Sequence, residues 1–355
     1  MMSFEPGKAL SSAVKFMERA LITVTLYTRK NCGLCEEVKT ELAQLQDEYP
    51  HRLVELDIES DRALYEKFFT LIPVLEIGPY TLTAPIDRRQ LRVTLGAAID
   101  RRAQLDRIGD SKHLERVRRG ERLSTADRLS HWLTQHYLFL LNAFMTFYVG
   151  MAFLAPVFMA IGAQGPARLI YRLYSPFCHQ FAFRSFFLFG EQFYYPLEAA
   201  GLAGIKSFDE ISGLTDLNNP RSVDRLRARE FIGDKTAGYK VALCERDVAI
   251  YSGMLIFGLL FALTGRRLRP LNWLVWLFFG LGPIALDGGS QLISQFGVSW
   301  LAEGLPYRES TPLLRVLTGL LFGMTTAWFA YPYLEESMAE SRQFFLKKIA
   351  IAGSK

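Results

Sequence analysis

The sequence predicts two structural parts within 355 residues: a mixed α/β domain in the first third and a helical membrane domain of about four spanning helices. Three observations support this division. Charged residues are frequent before about position 130, whereas long stretches after it carry none. Short β-branched segments alternate with segments of helical periodicity before position 105. Apolar segments of spanning length recur in the second half, near 137–161, 248–265, 271–290 and 316–334.

The elements of the first part are expected in the order β-α-β-α-β-β-α. Ile22–Thr28 alternates apolar and β-branched residues, which predicts a buried strand. A helix is predicted at 35–47, a strand at 52–58 and a second helix at 61–69. A hairpin formed by Val74–Ile77 and 81–86 follows, and a helix at 88–105 closes the domain. This order predicts a small sheet covered by helices.

Cys32 and Cys35 form a Cys-x-x-Cys motif on the first turn of the first predicted helix. The stretch from Tyr27 to Cys35, together with Ile72-Pro73-Val74-Leu75, resembles the motifs of the glutaredoxin-like family. The resemblance spans the α/β domain and implies a thioredoxin fold, in which Pro73 is a cis-proline that faces the cysteines. It also implies exchange with a thiol or disulfide protein or with glutathione.

The position of these cysteines suits thiol chemistry. The N-terminus of a helix carries a partial positive charge that stabilises a thiolate, and Arg29 and Lys30 add to it. We therefore expect Cys32 to be the exposed nucleophile and Cys35 the resolving thiol. Two other interpretations stay open: a degenerate thioredoxin fold kept for docking, and half of a zinc site, for which the sequence offers no second Cys or His pair nearby.

The charges that flank the apolar segments predict the membrane orientation. The N-terminus lacks the basic start and apolar run of a signal peptide, so the first domain is expected in the cytoplasm. A basic segment precedes the first span, and Arg266-Arg267-Leu268-Arg269 joins the second span to the third. The positive-inside rule therefore places both termini in the cytoplasm, with the protein integral to the plasma membrane.

The predicted parts are an N-terminal extension at 1–20, the glutaredoxin-like domain at 20–105 and a basic cytoplasmic linker at 106–136. The membrane domain follows at 137–334, and a cytoplasmic tail at 335–355. An extracytoplasmic insertion is expected at 191–243. The lipid bilayer is the expected partner of the membrane domain. Nucleic acid is not, because the net charge of +5 comes without a basic cluster interleaved with aromatic residues.

Four polar strings are predicted to meet at the outer face of the membrane. They begin at Cys178, Cys244, Asp287 and Arg308, each at the end of a span or in the loop beside it. Together they resemble a family of predicted prokaryotic membrane proteins known as a domain of unknown function. The matching residues are Cys178, His179, Gln180, Arg184, Ser185, Cys244, Arg246, Asp247, Ile250, Tyr251, Asp287, Gly288, Gln291, Arg308, Glu309, Ser310, Thr311, Arg315, Thr318 and Gly319.

Three interpretations of this outer cluster are open. The first is a metal site for Zn²⁺, the one cofactor that the sequence suggests, with five candidate ligands: Cys178, His179, Cys244, Asp247 and Asp287. Many family members have cysteine at the position of Asp247, and the aspartate preserves an anionic ligand. The second is a disulfide between Cys178 and Cys244 in an oxidising compartment. The third is the simple packing of two buried thiols and a hydrogen-bonded histidine.

Four arginines add a separate signal at this face: Arg184, Arg246, Arg308 and Arg315. Arginines bind phosphate or carboxylate groups bidentately, so a lipid headgroup or another phosphate-bearing substrate is a candidate ligand. The alternative is an ion-pair network in which they neutralise the nearby carboxylates of Asp247, Asp287 and Glu309.

The preferred function is that of a membrane-bound thiol–disulfide oxidoreductase, which exchanges disulfides through Cys32 and Cys35 and carries a polar or metal-binding site at the outer face. The alternative is an integral membrane, metal-dependent hydrolase or transferase for a lipid or phosphate-bearing substrate, with a regulatory glutaredoxin-like domain. The orientation separates the two cysteine pairs by about 30 Å of hydrocarbon. Direct exchange between the pairs is therefore not expected.

Overall fold

The structure is a computed structural model and describes residues 21–108, 120, 122–296 and 307–353. The predicted N-terminal extension and most of the basic stretch 109–121 lie outside the described residues. The chain divides into two compact units. The first comprises Met1–Gln135 with Ser337–Lys355, and the second comprises His136–Glu336.

The first unit is built around a four-stranded mixed sheet. Its strands are β1 (Ile22–Thr28), β2 (His51–Asp57), β3 (Val74–Ile77) and β4 (Tyr80–Thr83), in the order β2-β1-β3-β4. Strand β1 runs parallel to β2 and antiparallel to β3. The helices are α1 (Gly33–Gln44), α2 (Arg62–Phe68) and α3 (Arg88–Ile108). The predicted α/β fold is therefore confirmed.

Both faces of this sheet are covered. On one face, Leu26 of β1 belongs to a buried cluster that includes Leu42 of α1 and Leu95 of α3. On the other face, Leu56 of β2 lies in a second buried cluster with Phe68 of α2. Because β1 is covered on both sides, it can hold a nearly continuous run of apolar and β-branched residues. This burial accounts for the apolar and β-branched pattern from which the strand was predicted.

Four of the described helices are long and apolar enough to cross a membrane, as the sequence predicted. They are α4 (Thr125–Ala160), α8 (Glu245–Leu263), α9 (Trp273–Gln295) and α10 (Pro312–Gly353). Three shorter helices lie between α4 and α8: α5 (Gln164–Tyr174), α6 (Phe208–Ser212) and α7 (Val223–Glu230). Large apolar side chains along the spans are exposed, among them Phe139, Phe278 and Leu286. Contact with lipid removes this surface from water.

Residues 191–243, predicted as an insertion, pack with the segment that precedes them. The strands β5 (Ser185–Leu188), β6 (Gly233–Asp234) and β7 (Gly238–Cys244) form an antiparallel sheet in the order β5-β7-β6. Phe183, Phe187 and Phe208 are buried in the core beside it. Because β7 leads directly into α8, its pairing with β5 places Ser185 opposite Cys244. The sheet therefore determines where the spanning helix α8 begins.

The end of α10 belongs to the first unit. Leu346 and Ala350 pack against the buried cluster of β2 and α2. The guanidinium of Arg342 donates a hydrogen bond to the carboxylate of Asp61 at 3.1 Å. The stretch predicted as a separate tail is thus helical as far as Gly353 and contributes to the core of the first unit.

Two glycines allow α8 and α10 to lie in close contact. A Cβ atom added at Gly323 would lie 2.0 Å from the carbonyl oxygen of Ile250. One added at Gly253 would lie 2.7 Å from the carbonyl oxygen of Leu320. Small residues at such positions let helix backbones approach within a membrane, and any larger residue forces the two helices apart.

We expect Gly323→Ala to destabilise the protein by about 1–3 kcal/mol, the usual cost of overpacking, because the backbone of α8 has to move. Gly150→Ala in α4 is the matched control, since no atom lies within 4 Å of the added Cβ there. Thermal unfolding of both purified variants in detergent measures the difference. Equal midpoints for the two variants contradict the close contact.

Candidate functional site

Cys32 and Cys35 form a disulfide at the start of α1, with their Cα atoms 5.3 Å apart. Cys32 is the N-cap residue and is partly exposed, whereas Cys35 is fully buried. The backbone N–H of Cys35 donates a hydrogen bond to Sγ of Cys32 at 3.2 Å. A thiolate at Cys32 would gain from this donor and from the partial positive charge of the helix N-terminus.

A concave surface lies beside the helix that carries these cysteines. The Ile72–Pro73 peptide bond is cis. Pro73 lines a cavity of about 530 Å³ together with Leu34 of α1 and Arg88 of α3. Leu34 lies between the two cysteines and is 54% exposed. The first unit therefore has an open concave surface that reaches Leu34, within the motif of the two cysteines.

In the second unit, Cys178, Cys244 and Asp247 converge. One ligand atom from each residue lies within 4.8 Å of the other two. Sγ of Cys178 accepts a hydrogen bond from the backbone N–H of Cys244 at 3.3 Å, and Sγ of Cys244 accepts one from that of Asp247 at 3.4 Å. Both cysteines are free thiols. A hydrogen bond with Cys178, followed by burial, raises the pKa of the Cys244 thiol.

Gln180 and Lys240 position the loop that carries Cys178. The side-chain amide of Gln180 donates to the carbonyl oxygens of Tyr171 at 2.9 Å and Ala242 at 3.0 Å. Nζ of Lys240 donates to the carbonyl oxygen of Gln180 at 2.8 Å. These bonds tie the loop to strand β7, which ends at Cys244.

The role of Lys240 was missed by the sequence reasoning. Its side chain is almost completely buried, and this burial lowers its pKa to about 7. The available signal was a single cation within an otherwise apolar strand, Gly238–Cys244. A cation in such a strand requires polar partners, and backbone carbonyl groups supply them here.

Asp287, a predicted metal ligand, is placed in a separate group. Its carboxylate accepts hydrogen bonds from Arg246 at 2.5 Å and from Arg308 at 2.8 Å. The hydroxyl of Ser310 donates to it as well, at 2.7 Å and 2.8 Å to the two oxygens. The structure therefore does not bring Asp287 together with the two thiols.

His179, another predicted ligand, is exposed and lies outside the group of three. Its ring stacks on Phe181, with the ring centroids 5.7 Å apart. His179 nevertheless lines a cavity of about 230 Å³ onto which Cys178, Cys244 and Asp247 also open. Gln180 and Gln291 contribute polar groups to the same cavity.

Glu309 gathers two of the remaining arginines. Arg184 donates to both of its carboxylate oxygens, at 2.7 and 2.8 Å. Arg315 contacts Glu309 and also donates to Glu245 at 3.0 Å. All four arginines are thus paired with carboxylates, in the manner of the predicted ion-pair network. The carboxylates are Asp287, Glu309 and Glu245 rather than Asp247, and the involvement of Glu245 was not predicted.

The charged state of Glu309 follows from these partners. Burial is the largest single influence and raises the pKa of Glu309, but the charges of Arg184 and Arg315 and the hydrogen bonds from Arg184 and Gln295 together outweigh it, and the net pKa lies below its usual value. A carboxylate with a depressed pKa stabilises the fold above the unfolded value of about 4.3, and this contribution is lost as the pH falls through the lower folded value. Glu309 is therefore ionised at neutral pH.

We expect Glu309→Gln to destabilise the protein by about 3–5 kcal/mol at pH 7, because Arg184 would lose its carboxylate partner and buried Arg315 would keep only Glu245. Glu191→Gln is the matched control. It removes an exposed partner of Lys206, 2.6 Å away, and should leave the unfolding midpoint almost unchanged, because exposed ion pairs contribute little to stability.

Thermal unfolding of the two variants and the wild-type protein at several pH values tests this expectation. The difference between Glu309→Gln and wild type should shrink once the pH falls below the folded pKa of Glu309. A difference that is small at pH 7 or insensitive to pH contradicts the proposed role of the carboxylate.

Comparison with known proteins finds a matching family model in each of the two parts of the chain. Residues 23–96 match the family described as glutaredoxin-like domain (DUF836), and residues 228–329 match the family described as predicted membrane protein (DUF2085). An uncharacterized protein of Methanocaldococcus jannaschii is 27% identical over 213 residues, which cover 58% of this chain and 96% of that protein. No solved structure matches the chain. The chain joins a glutaredoxin-like domain to a domain of the predicted membrane protein family DUF2085.

Proposed function

We propose that the protein is a membrane-bound thiol–disulfide oxidoreductase that exchanges disulfides through Cys32 and Cys35. The presence of a glutaredoxin-like domain beside a membrane domain supports a thiol-redox role in general. The observation that carries the specific proposal is the asymmetry of the pair. Cys32 is partly exposed at the N-cap of α1, whereas its disulfide partner Cys35 is buried.

In the reduced protein, the Cys32 thiolate attacks one sulfur of a substrate disulfide and releases the other sulfur as a thiolate. The product is a mixed disulfide between Cys32 and the substrate. The Cys35 thiolate then attacks Sγ of Cys32, which releases the second substrate thiolate and leaves the Cys32–Cys35 disulfide. Two electrons pass to the substrate, and two molecules of an external thiol such as glutathione then restore the dithiol and leave as their own disulfide.

The surroundings of the pair suit a protein or peptide substrate. The cavity of about 530 Å³ beside Pro73 and Leu34 is lined by apolar and charged side chains. Arg29 and Lys30, in the exposed turn before α1, add positive charge near Cys32. Positive charge lowers the pKa of a nearby thiol and attracts an anionic substrate such as glutathione.

The proposed orientation has both termini in the cytoplasm. An even number of spans returns the chain to its starting side, and the packing of Leu346 and Ala350 into the core of the first unit supports this. The basic segments then favour the cytoplasm as that side. In this orientation the exchange pair meets the reducing thiols of the cell.

The metal-dependent hydrolase or transferase has less support. That hypothesis needs arginines at the outer cluster to hold a phosphate group. In the structure, Arg184 and Arg315 are committed to Glu309, and Arg246 and Arg308 to Asp287. A phosphate would have to displace these carboxylates.

The Cys35→Ser variant should accumulate a mixed disulfide with oxidised glutathione, because the resolving thiol is absent. Cys32→Ser should form none within the glutaredoxin-like domain. Intact mass and peptide mapping locate the adduct. Thr81→Ser, at an exposed position of β4, is the control and should keep the behaviour of the unmodified protein. An adduct on Cys35 in the Cys32→Ser variant, or none in either variant, contradicts the assignment.

The orientation is tested by labelling with a membrane-impermeant maleimide after reduction. Cys32 should react in inverted membrane vesicles and not in intact spheroplasts, because the exchange domain is expected in the cytoplasm. Peptide mapping distinguishes Cys32 from the other thiols. Labelling of Cys32 in intact spheroplasts contradicts the proposed orientation. The exchange chemistry is tested separately, by the mixed disulfide expected in the Cys35→Ser variant.

A further inference from the structure

We propose that Cys178, Cys244 and Asp247 bind a divalent metal ion of the zinc class, with one coordination position open to the neighbouring cavity. This site lies in the second unit and is independent of the exchange chemistry at Cys32 and Cys35. It narrows the five ligands expected from sequence to the three whose ligand atoms lie within 4.8 Å of one another.

The geometry is close to that of a metal-bound set. A tetrahedral Zn²⁺ with bonds of about 2.3 Å to sulfur and 2.1 Å to oxygen places its ligand atoms less than about 4 Å apart. The three ligand atoms here already lie within 4.8 Å of one another, so small side-chain rotations suffice to close the set. Cys244 and Asp247 are three residues apart at the start of α8 and thus share one helix face.

The two sulfurs lie where the local backbone presents N–H donors to them. A backbone N–H donates to each sulfur, from Cys244 to Cys178 and from Asp247 to Cys244. Cys244 is also the N-cap residue of α8, where the partial positive charge of the helix favours an anion. Hydrogen bonds to the charged form stabilise that form. A metal ion binds thiolates, and the same N–H groups would continue to donate to the two sulfurs once they are ligated.

Among the carboxylates around this site, that of Asp247 is the one available to bind a cation within the described residues. Glu245, Glu309 and Asp287 each form an ion pair with an arginine. The Asp247 carboxylate, by contrast, forms no ion pair and accepts no hydrogen bond within the part of the chain that the structure describes. The arginines that border the same cavity are already paired. A metal ion would supply the positive charge that Asp247 lacks.

The ligand types select the metal. Two thiolates with one carboxylate suit Zn²⁺, whereas Mg²⁺ and Ca²⁺ require sets made of oxygen ligands. An internal disulfide is also unavailable within the motif, because Asp247 stands where a second cysteine would complete Cys-x-x-Cys. The Cys244-x-x-Asp247 motif therefore keeps two groups that can be anionic at the start of α8. It has a single thiol, so it cannot form a disulfide by itself.

The fourth position would face the cavity of about 230 Å³ that His179 and Gln291 also line. Three protein ligands with an open position are typical of catalytic zinc sites, whereas structural sites use four. A water molecule or a polar substrate group fits that position.

Binding is coupled to proton release. The two thiols lose their protons, and the two thiolates and the carboxylate contribute three negative charges against the two positive charges of the ion. The site therefore carries a net charge of about −1 when loaded, beside the arginine-rich network. Affinity should fall as the pH is lowered, because protons compete with the metal for the two sulfurs.

Co²⁺ is a suitable probe of the full-length protein in detergent, in a Cys32→Ser, Cys35→Ser background that leaves only two thiols. We expect about one Co²⁺ per chain, with the intense visible bands of a tetrahedral ion and a near-ultraviolet thiolate-to-cobalt band. Zn²⁺ should displace it. The absence of binding, or binding without the thiolate band, overturns the proposal.

Asp247→Asn and Cys244→Ser in the same background should weaken Co²⁺ binding by more than about tenfold, the loss that even outer-shell changes cause. Asp216→Asn, at an exposed site within 191–243, is the matched control and should leave affinity unchanged. Circular dichroism and gel filtration identify a variant that fails to fold. In that case, the Co²⁺ absorption spectrum of the Cys32→Ser, Cys35→Ser protein decides whether thiolates bind the metal. Equal affinity in all three variants, or a Cys178–Cys244 disulfide that persists in the purified protein and excludes metal, overturns the proposal.

Discussion

The buried carboxylate of Glu309 is the contact on which the geometry of the membrane half depends. It accepts hydrogen bonds from Arg184, from Gln291 on α9 and from Arg315 on α10. Arg315 extends the network to Glu245 at the start of α8. Removing these charges from water costs several kcal/mol per ion, which is repaid only when every partner is in place. Three spanning helices and the loop before β5 are therefore held in one mutual arrangement.

The same network determines the character of the site beside it. Because the nearby arginines are paired with Glu309 and Asp287, they do not neutralise Asp247. The two cysteine sites also share a local construction. Cys32 and Cys244 each cap a helix and each accept an N–H bond from the residue three positions later. That later residue is Cys35 in one site and Asp247 in the other. The first site can therefore form a disulfide within its own motif, and the second cannot.

The α/β domain could be predicted because its information is local. Strand β1 shows the alternating β-branched pattern of a buried strand, and the order of elements followed from periodicity alone. The four spans were predictable for the same reason, since length and the absence of charge suffice. The residues paired across the membrane domain were less accessible. Arg184 and Glu309 lie 125 positions apart in the sequence. No local pattern shows that Arg184 pairs with the carboxylate of Glu309 rather than with that of Asp247.

The sequence alone determined where the distinctive features lie: the Cys-x-x-Cys motif at a helix start, four helices apolar and long enough to span a membrane, and the polar strings near their ends. These depend on composition and on spacing within single elements. Only the tertiary structure decided which polar groups meet. It placed Asp287 with Arg246 and Arg308, separated His179 from the thiols, and brought Cys178 to Cys244 through the loop held to β7. The reason is physical, since pairing of buried charges depends on distances between helices, which no single segment encodes.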